Sequence, residues 1–383
     1  MTVPNPVIPD LLYSELEQEL RSSVADVLSS KAKWSDVLTR TESDNTADVD
    51  LWRTLARDVG LAGLPLSEDQ GGAGASWKEV AVVLEELGRA VAPVPYLGSA
   101  VTGTALLMKV QSTELLSRVA AGDLIVSLVV PVDVHPWSTE DNEKLAAVTV
   151  DEQGRLTGSV PSVSDALIAD VLLIPIGTTL YAVESSHASI APVVSLDMTR
   201  QLADIAFHAA PAVVVAQGDS VRPAVASAVT ISAAMLASEQ LGLAEKCLDS
   251  TVEYLKERRQ FGRVLGSYQA LKHRLADLWV DISQARAVAR YAVSCVADDS
   301  PDLPLASALA HSLCSTVALH AAQECIQLHG GIGFTWEHPA HLYLKRAKAS
   351  TLMFGGPDVH RRHVGMLADL APTPDADRKD STS

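Results

Sequence analysis

The strongest constraint on this chain is a series of long stretches almost free of helix breakers. Residues 224–258 contain one glycine, Gly242, and no proline; residues 268–297 and 305–328 contain neither. At about 1.5 Å of rise per residue, helices of that length reach roughly 35–50 Å. An isolated helix of any such length cannot bury its apolar side, so the three predict a helical assembly in the C-terminal part of the chain.

The two preceding blocks have different textures. In residues 10–122, Leu11, Leu12, Leu16 and Leu20 recur at helical spacing, as do Val80, Val83, Leu84 and Leu87. A Gly71-Gly72-Ala73-Gly74 break precedes the second set. Ser76 is placed to cap that helix, and Pro93 and Pro95 mark its end because neither can donate to a helical ladder. Residues 124–216 instead hold short β-branched runs at 124–130, 147–150, 156–160, 171–174, 180–183 and 203–207, separated by Gly, Pro, Asp and Ser. That rhythm predicts a small antiparallel barrel or sandwich. The expected organisation is therefore α+β: helices over 1–122, strands over 123–217 and helices over 218–370. The Pro-, Asp- and Ser-rich residues 371–383 are expected to be a disordered tail.

Composition sets the outer limits. At 383 residues the chain exceeds the roughly 250–300 residues at which single cores stop growing. With 48% apolar and 20% charged residues it is not an intrinsically disordered sequence. A formal net charge of −17 argues against binding nucleic acid or an anionic membrane surface. Charged residues and prolines interrupt the apolar stretches, so no membrane span is expected, and the first twenty residues lack a secretory pattern. Cys247, Cys295, Cys314 and Cys325 form neither a C-x-x-C pair nor a zinc pattern, and are expected to be buried free thiols of a cytoplasmic protein. His329 and His338 have no further ligands at close spacing, so no metal is expected and both are taken as structural.

Two segments carry chemistry. The first runs Glu257-Arg258-Arg259-Gln260-Phe261-Gly262, then Leu265, Tyr268, Gln269 and His273. By itself it is a helix end whose arginines complement the helix dipole. The second runs from Gln327 through His329-Gly330-Gly331-Ile332-Gly333-Phe334-Thr335-Trp336-Glu337-His338-Pro339. By itself it is a glycine-capped helix end, or a turn that lets backbone approach an anion.

Together, about 65 residues apart, R-x-Q-F-G and Q-x-H-G-G-x-G-F-T-x-E-H-P resemble the acyl-CoA dehydrogenase family. Residues 65–74 and 83–93 resemble its P-x-x-x-G-G-x-G and E-E-L-G-R segments, so the resemblance spans nearly the whole chain in the family's order. It implies the acyl-CoA dehydrogenase fold: an N-terminal helical domain, a middle antiparallel β-domain and a C-terminal four-helix bundle that assembles tetramers. It also implies FAD, an acyl-CoA substrate, a glutamate that removes the α-proton, and an electron-transfer flavoprotein as acceptor. Arg258, Gln260, Phe261, Leu265 and Tyr268 match the family segment that reaches the FAD of a neighbouring subunit. Gln327, Gly330 and Gly331 match the second cofactor segment.

The chain departs from that pattern at the reacting centre. The family's base falls on Phe354 here, or on Gly355 after a one-residue slip, and neither accepts a proton. Some members place the base on the first long C-terminal helix, but residues 230–234 hold no carboxylate. The nearest is Glu239, about two turns on, which is the candidate base or else a structural carboxylate. Residues 129–137 lack the family's flavin-binding T-E-P-x-A-G-S-D, and Ser162-Val163-Ser164 replaces its W-[IV]-[TS], leaving Ser164 as a possible hydroxyl donor. Trp336 and Trp279 are taken as packing residues. The donated half of a flavin site is thus retained and the chain's own half is not. The expectation is one subunit of an α2β2 enzyme, resembling those of actinobacterial steroid and cholesterol side-chain breakdown. The alternatives are a self-sufficient homotetramer with a relocated base, and a non-catalytic subunit that completes a partner's FAD site.

Overall fold

A computed structural model of the chain describes residues 10–43, 45–138 and 147–370. The expected tail, 371–383, lies outside the described residues. The N-terminal block holds α1 (Glu15–Lys31), α2 (Trp34–Thr41), α3 (Val49–Arg53), α4 (Trp77–Ala90), α5 (Thr104–Lys109) and α6 (Thr113–Ala120). A π-helical segment, Tyr96–Gly103, leads into α5. Ser76 caps α4 as the sequence predicts. Its hydroxyl accepts from Lys78 N–H at 3.0 Å, and Glu79 accepts from Ser76 N–H at 2.8 Å. The helix stops at Ala90, with Val91 in the left-handed region, before either proline is reached.

Among the described residues the middle block has eight strands: β1 (Val126–Leu128), β2 (Thr149–Val150), β3 (Arg155–Ser164), β4 (Val171–Ile176), β5 (Thr179–Glu184), β6 (Ser189–Val193), β7 (Leu202–Pro211) and β8 (Val213–Gln217). They form two four-stranded sheets, ordered β1-β4-β5-β8 and β2-β3-β7-β6. The expectation of a wholly antiparallel domain needs one correction, because β1 pairs with β4 in parallel. The chain leaves β1, builds β2 and β3 in the other sheet, and returns as β4. The three residues of β1 and the first four of β4 are all buried, as parallel strands usually are.

The C-terminal block consists of α7 (Val221–Glu257), a small hairpin of β9 (Arg259–Gln260) and β10 (Arg263–Val264), α8 (Gln269–Ala297), α9 (Leu303–His329), α10 (Ala340–Ser350) and α11 (Pro357–Leu367). By length and apolarity α7 and α9 could each cross a membrane, contrary to the sequence expectation. Of their most apolar windows, 72% and 67% respectively are buried inside the fold, which makes them core helices. The glycine inside α7 has a packing reason. A Cβ on Gly242 would lie 1.9 Å from the Glu85 carbonyl of α4, and one on Gly88 would lie 2.0 Å from the Glu239 carbonyl of α7. The two helices cross backbone to backbone, and only glycine on each side permits it.

Two buried ionic systems join the blocks. In the first, Arg346 on α10 bonds Asp197 Oδ2 at 2.6 Å, Glu239 Oε1 at 2.9 Å and the Thr199 carbonyl at 3.1 Å. Arg200 grips Glu239 from the β6–β7 loop at 2.7 and 2.5 Å. In the second, Arg290 of α8 holds Glu17 of α1 at 2.5 Å, and Arg21 reaches Glu85 and Glu86 of α4. Tyr13 donates its hydroxyl to both Glu85 oxygens at 3.0 Å.

Removing one partner of a buried pair leaves the other charge uncompensated. Arg346→Ala is therefore expected to lower stability by about 3–5 kcal/mol in chemical denaturation, whereas Arg361→Ala, at an exposed pair with Asp358, changes it little. Glu85 gives a pH signature. Burial pushes its carboxyl up from 4.5 to about 7, against the pull of Arg21. A raised carboxyl favours the folded chain below its unfolded value and loses that contribution as pH rises through about 7. Relative to Glu85→Gln, the wild-type Tm should fall between about pH 5 and about pH 8; parallel curves would refute this.

Candidate functional site

The first cofactor-type segment begins where α7 ends. Arg258 N–H caps back onto the Tyr254 carbonyl at 2.9 Å, and Leu265 N–H returns to the Arg258 carbonyl at 2.8 Å, closing the β9–β10 hairpin. The hairpin tip is Phe261-Gly262, both in the left-handed region at φ of 52° and 78°. That matches a two-residue turn with positive φ at both centres. Phe261 at its tip is 88% exposed. Arg263 lies over the Tyr268 ring at 3.7 Å and fixes it, with Leu265 half-buried alongside. Arg258, Arg259 and Gln260 are exposed.

The second segment begins where α9 ends. Gly330 has φ of 65°, and neither Gly330 nor Gly331 has any atom within 4 Å of where a Cβ would stand. The Gly330 N–H is spent on the Gln327 and Ile326 carbonyls of α9, but with no side chain in the way the turn's backbone is open to close approach by a ligand. Gln327, Ile332, Phe334 and Trp336 are exposed on the same segment, Phe334 at 72% and Trp336 at 59%. Of the two tryptophans taken as packing residues, Trp336 packs edge-on against His341 at 4.8 Å while staying largely exposed, and Trp279 is also 59% exposed. The two segments meet where the His329 ring stacks on Tyr254 at 4.5 Å, four residues before Arg258. Arg258, Gln260, Phe261, Leu265, Tyr268, Gln327, Gly330 and Gly331 thus lie on two linked segments at one end of the bundle. An arginine fork, a glycine turn with no side chain in the way and exposed aromatic rings suit a dinucleotide diphosphate with its flat ring. Ser164 stands apart from them, at the end of β3, where its carbonyl accepts from Ser127 Oγ at 2.8 Å.

The reacting-centre positions are filled differently. Phe354 is buried, with φ of 55°, and donates its N–H to the Val132 carbonyl at 2.9 Å. His360 Nε2 bonds the Phe354 carbonyl at 2.9 Å, and His311 Nε2 bonds the Gly355 carbonyl at 2.9 Å. A Cβ on Gly355 would approach the Cβ of His135 to 2.9 Å. Trp137 completes the cluster, stacked on His363 at 3.7 Å with its edge toward His360. Burial lowers His311 to about 4 and His360 to about 3, so both are neutral donors at ordinary pH. The other candidate stretch is equally closed. Ser232, within 230–234, shares a 2.7 Å hydrogen bond with Thr102 of the π-helical segment.

Glu239 is buried, as its apolar run suggested. Burial alone would raise its carboxyl, but Arg200 and Arg346 outweigh that and hold it below the ordinary range. A base needs a free lone pair and a proton affinity near the working pH. Both oxygens of Glu239 are already bonded to guanidinium groups, so the arrangement makes it a structural carboxylate. Sequence reasoning missed Arg200, His311 and His360. A charged residue inside an apolar run signals that a partner exists, but nothing local says which of the distant arginines it is.

Comparison with known proteins follows the same outline. The acyl-CoA dehydrogenase N-terminal domain matches residues 14–123, and the acyl-CoA dehydrogenase C-terminal domain matches residues 223–368. The acyl-CoA dehydrogenase IpdE2 of Mycolicibacterium smegmatis is 36% identical over 92% of this chain and 98% of its own length. The acyl-CoA dehydrogenase FadE34 of Mycobacterium tuberculosis is 33% identical over 84% of this chain, but over 43% of its own length. Among solved structures, the ChsE4–ChsE5 complex of M. tuberculosis superposes at a TM-score of 0.82 with 26% identity, covering 95% of this chain and 100% of that one. The Tcur3481–Tcur3483 steroid acyl-CoA dehydrogenase superposes at 0.80 with 28% identity, covering 93% and 98%. Sequence motifs, fold and relatives converge, and this chain belongs to the acyl-CoA dehydrogenase family.

Proposed function

We propose that this chain is one subunit of a two-chain, FAD-dependent acyl-CoA dehydrogenase acting on a bulky, steroid-derived acyl thioester in the cytoplasm. In this reading it lends its bundle-end segments to the partner subunit's flavin, and the partner supplies the catalytic base. The observation that carries the reading is Phe354: the position where the family keeps its base holds a buried phenyl ring, bonded in place by Val132 and His360. The Thr102–Ser232 contact and the occupied Glu239 support it, because neither alternative position offers a free carboxylate. Three of the relatives give it context. The ChsE4–ChsE5 and Tcur3481–Tcur3483 structures are each named for two chains, and FadE34 is more than twice as long as the region this chain matches.

When bound, FAD would supply the hydride acceptor for the substrate's β-carbon. Arg258 would pair with diphosphate oxygens through its planar fork. The Gly330–Gly331 turn would let the same charge approach its backbone closely, since neither residue carries a side chain there. Gln260 and Gln327 would bond polar edges, and Phe261, Leu265 and Tyr268 would exclude water from them. Ser164 lies on the chain's own side, where Ser162 replaces the flavin-packing tryptophan, and the residues present there do not make a comparable cradle.

The reading of a non-catalytic companion differs only in whether this chain touches substrate, and the packed Phe354 turn favours it in that respect. Co-expression with a second family member that retains a glutamate at the base position tests both. FAD at one per pair of chains, with dehydrogenation of a steroid-derived acyl-CoA, is the expected result. Stoichiometric FAD and activity in this chain purified alone would sink the reading. Within the pair, Arg258→Ala should weaken FAD retention roughly ten- to hundredfold, the worth of one or two charge-assisted hydrogen bonds, without changing the fold by circular dichroism.

A further inference from the structure

Both cofactor-type segments follow the carbonyl ends of long helices. α7 ends at Glu257, directly before Arg258, and α9 ends at His329, directly before Gly330. Such helix ends carry partial negative charge, which disfavours an anion. The formal net charge of −17 does not offset it, and the Gly330 N–H is already spent inside α9. A diphosphate held here therefore needs cations that reverse the local field. Arg258, Arg259 and Arg263 bring such charge from the α7 side, Arg263 with its fork laid over the Tyr268 ring at 3.7 Å. On the α9 side the group in place is His329.

His329 Nδ1 lies 2.7 Å from the Cys325 carbonyl, one turn back on α9. A carbonyl only accepts, so Nδ1 carries a proton and Nε2 is the nitrogen that titrates. The ring is fixed by Tyr254, stacked on it at 4.5 Å, and by His338, tilted against it at 4.2 Å. These, with the Cys325 sulfur 3.6 Å from Nδ1, are the titratable groups that face it from α7, from the turn and from α9. Among the described residues no carboxylate is paired with it. His338 uses its own Nδ1 to accept the Ala340 N–H at 3.2 Å, a bond that protonation would break. Burial, then His329 and His341, lowers His338 to about 4. Of the two adjoining imidazoles, His329 is thus the one free to take charge. A cation is favoured at the carbonyl end of a helix. Burial opposes that charge, but the bonds to Cys325 outweigh it and raise His329 above its ordinary value.

We propose that protonated His329 is a fixed cation of the diphosphate site, so that cofactor binding is coupled to proton uptake. This role rests on the subunit reading given above and adds to it a residue and a pH dependence. His329 is a positioning residue: it braces the end of α9 through the Cys325 carbonyl and places charge directly behind the Gly330–Gly331 turn. An imidazolium there attracts the phosphates and a neutral ring does not, so binding draws a proton onto His329 wherever it is neutral beforehand. Affinity is therefore highest at low pH and falls as pH rises through the histidine's titration. Arg258 keeps its charge throughout, so its share of the affinity is constant with pH.

The test titrates FAD into the flavin-free two-chain complex at fixed ionic strength, read by flavin fluorescence. The wild-type Kd should rise roughly tenfold between about pH 6 and about pH 9. His329→Gln should lose most of that slope and bind at every pH about as the wild type does at the alkaline end. His329→Arg, with a permanent charge, should hold the tighter affinity across the range. If the glutamine variant does not fold, His329→Phe, which keeps a ring beside Tyr254, takes its place. Calorimetry in two buffers of different ionisation heat should find proton uptake on FAD binding that the uncharged variant lacks. A wild-type slope retained in the uncharged variant, or equal proton uptake with and without the imidazole, overturns the proposal. Arg258→Ala separates the two levels. If it leaves FAD affinity unchanged at every pH, the subunit reading falls; if it weakens FAD while the His329 variants keep the wild-type slope, only the role of His329 falls.

Discussion

The arrangement of this molecule depends on one buried guanidinium. Arg346 sits on α10 and bonds Glu239 of α7, Asp197 and Thr199 of the β6–β7 loop, and, at 3.4 Å, the Ala92 carbonyl just beyond α4. All three blocks of the chain converge on it. Moving a cation of that size out of water is costly unless every donor finds an acceptor. Here two carboxylates and three further oxygens meet the fork, and Arg200 balances the second negative charge. The same interaction that sets the blocks in place also engages the carboxylate of Glu239, so architecture and chemistry are decided at one site.

The turn at Phe354 and Gly355 shows a comparable economy. Two carbonyls of this tight turn face the protein interior, where an unmet acceptor is expensive. His311 and His360 meet them as neutral donors. The turn is thus held by its own hydrogen bonds, with a ring where the resemblance to the family would place a carboxylate.

Much of this was legible in the sequence, and the limits have physical causes. Helices announce themselves through breakers and periodicity, so the long C-terminal helices and the Ser76 cap could be read locally. Strand β6 could not: its residues are mostly half-exposed or exposed and it carries a proline, so no alternating pattern marks it. The parallel β1–β4 pair was hidden because pairing partners are fixed by tertiary packing, not by the strand's own residues. Gly242 looked like a flaw in a helix until its contact with α4 explained it. The cofactor-type segments were legible as motifs, yet their meeting through Tyr254 and His329 depends on two helices ending side by side. Buried ion pairs were the least legible, since the residues that satisfy Glu239 stand 39 and 107 positions away in sequence.

The exposed rings of Phe261, Phe334 and Trp336 have a consequence for the cell as well as for the site. The chain has only four phenylalanines, and two of them face solvent. Exposed apolar rings of this kind are quiet when covered and adhesive when bare. A copy made without something to cover that end of the bundle is a substrate for chaperones and proteases before it is anything else. On the two-chain reading proposed above, the amount of working protein would be set by whichever chain is scarcer, and surplus synthesis of this one would be turned over, not stored.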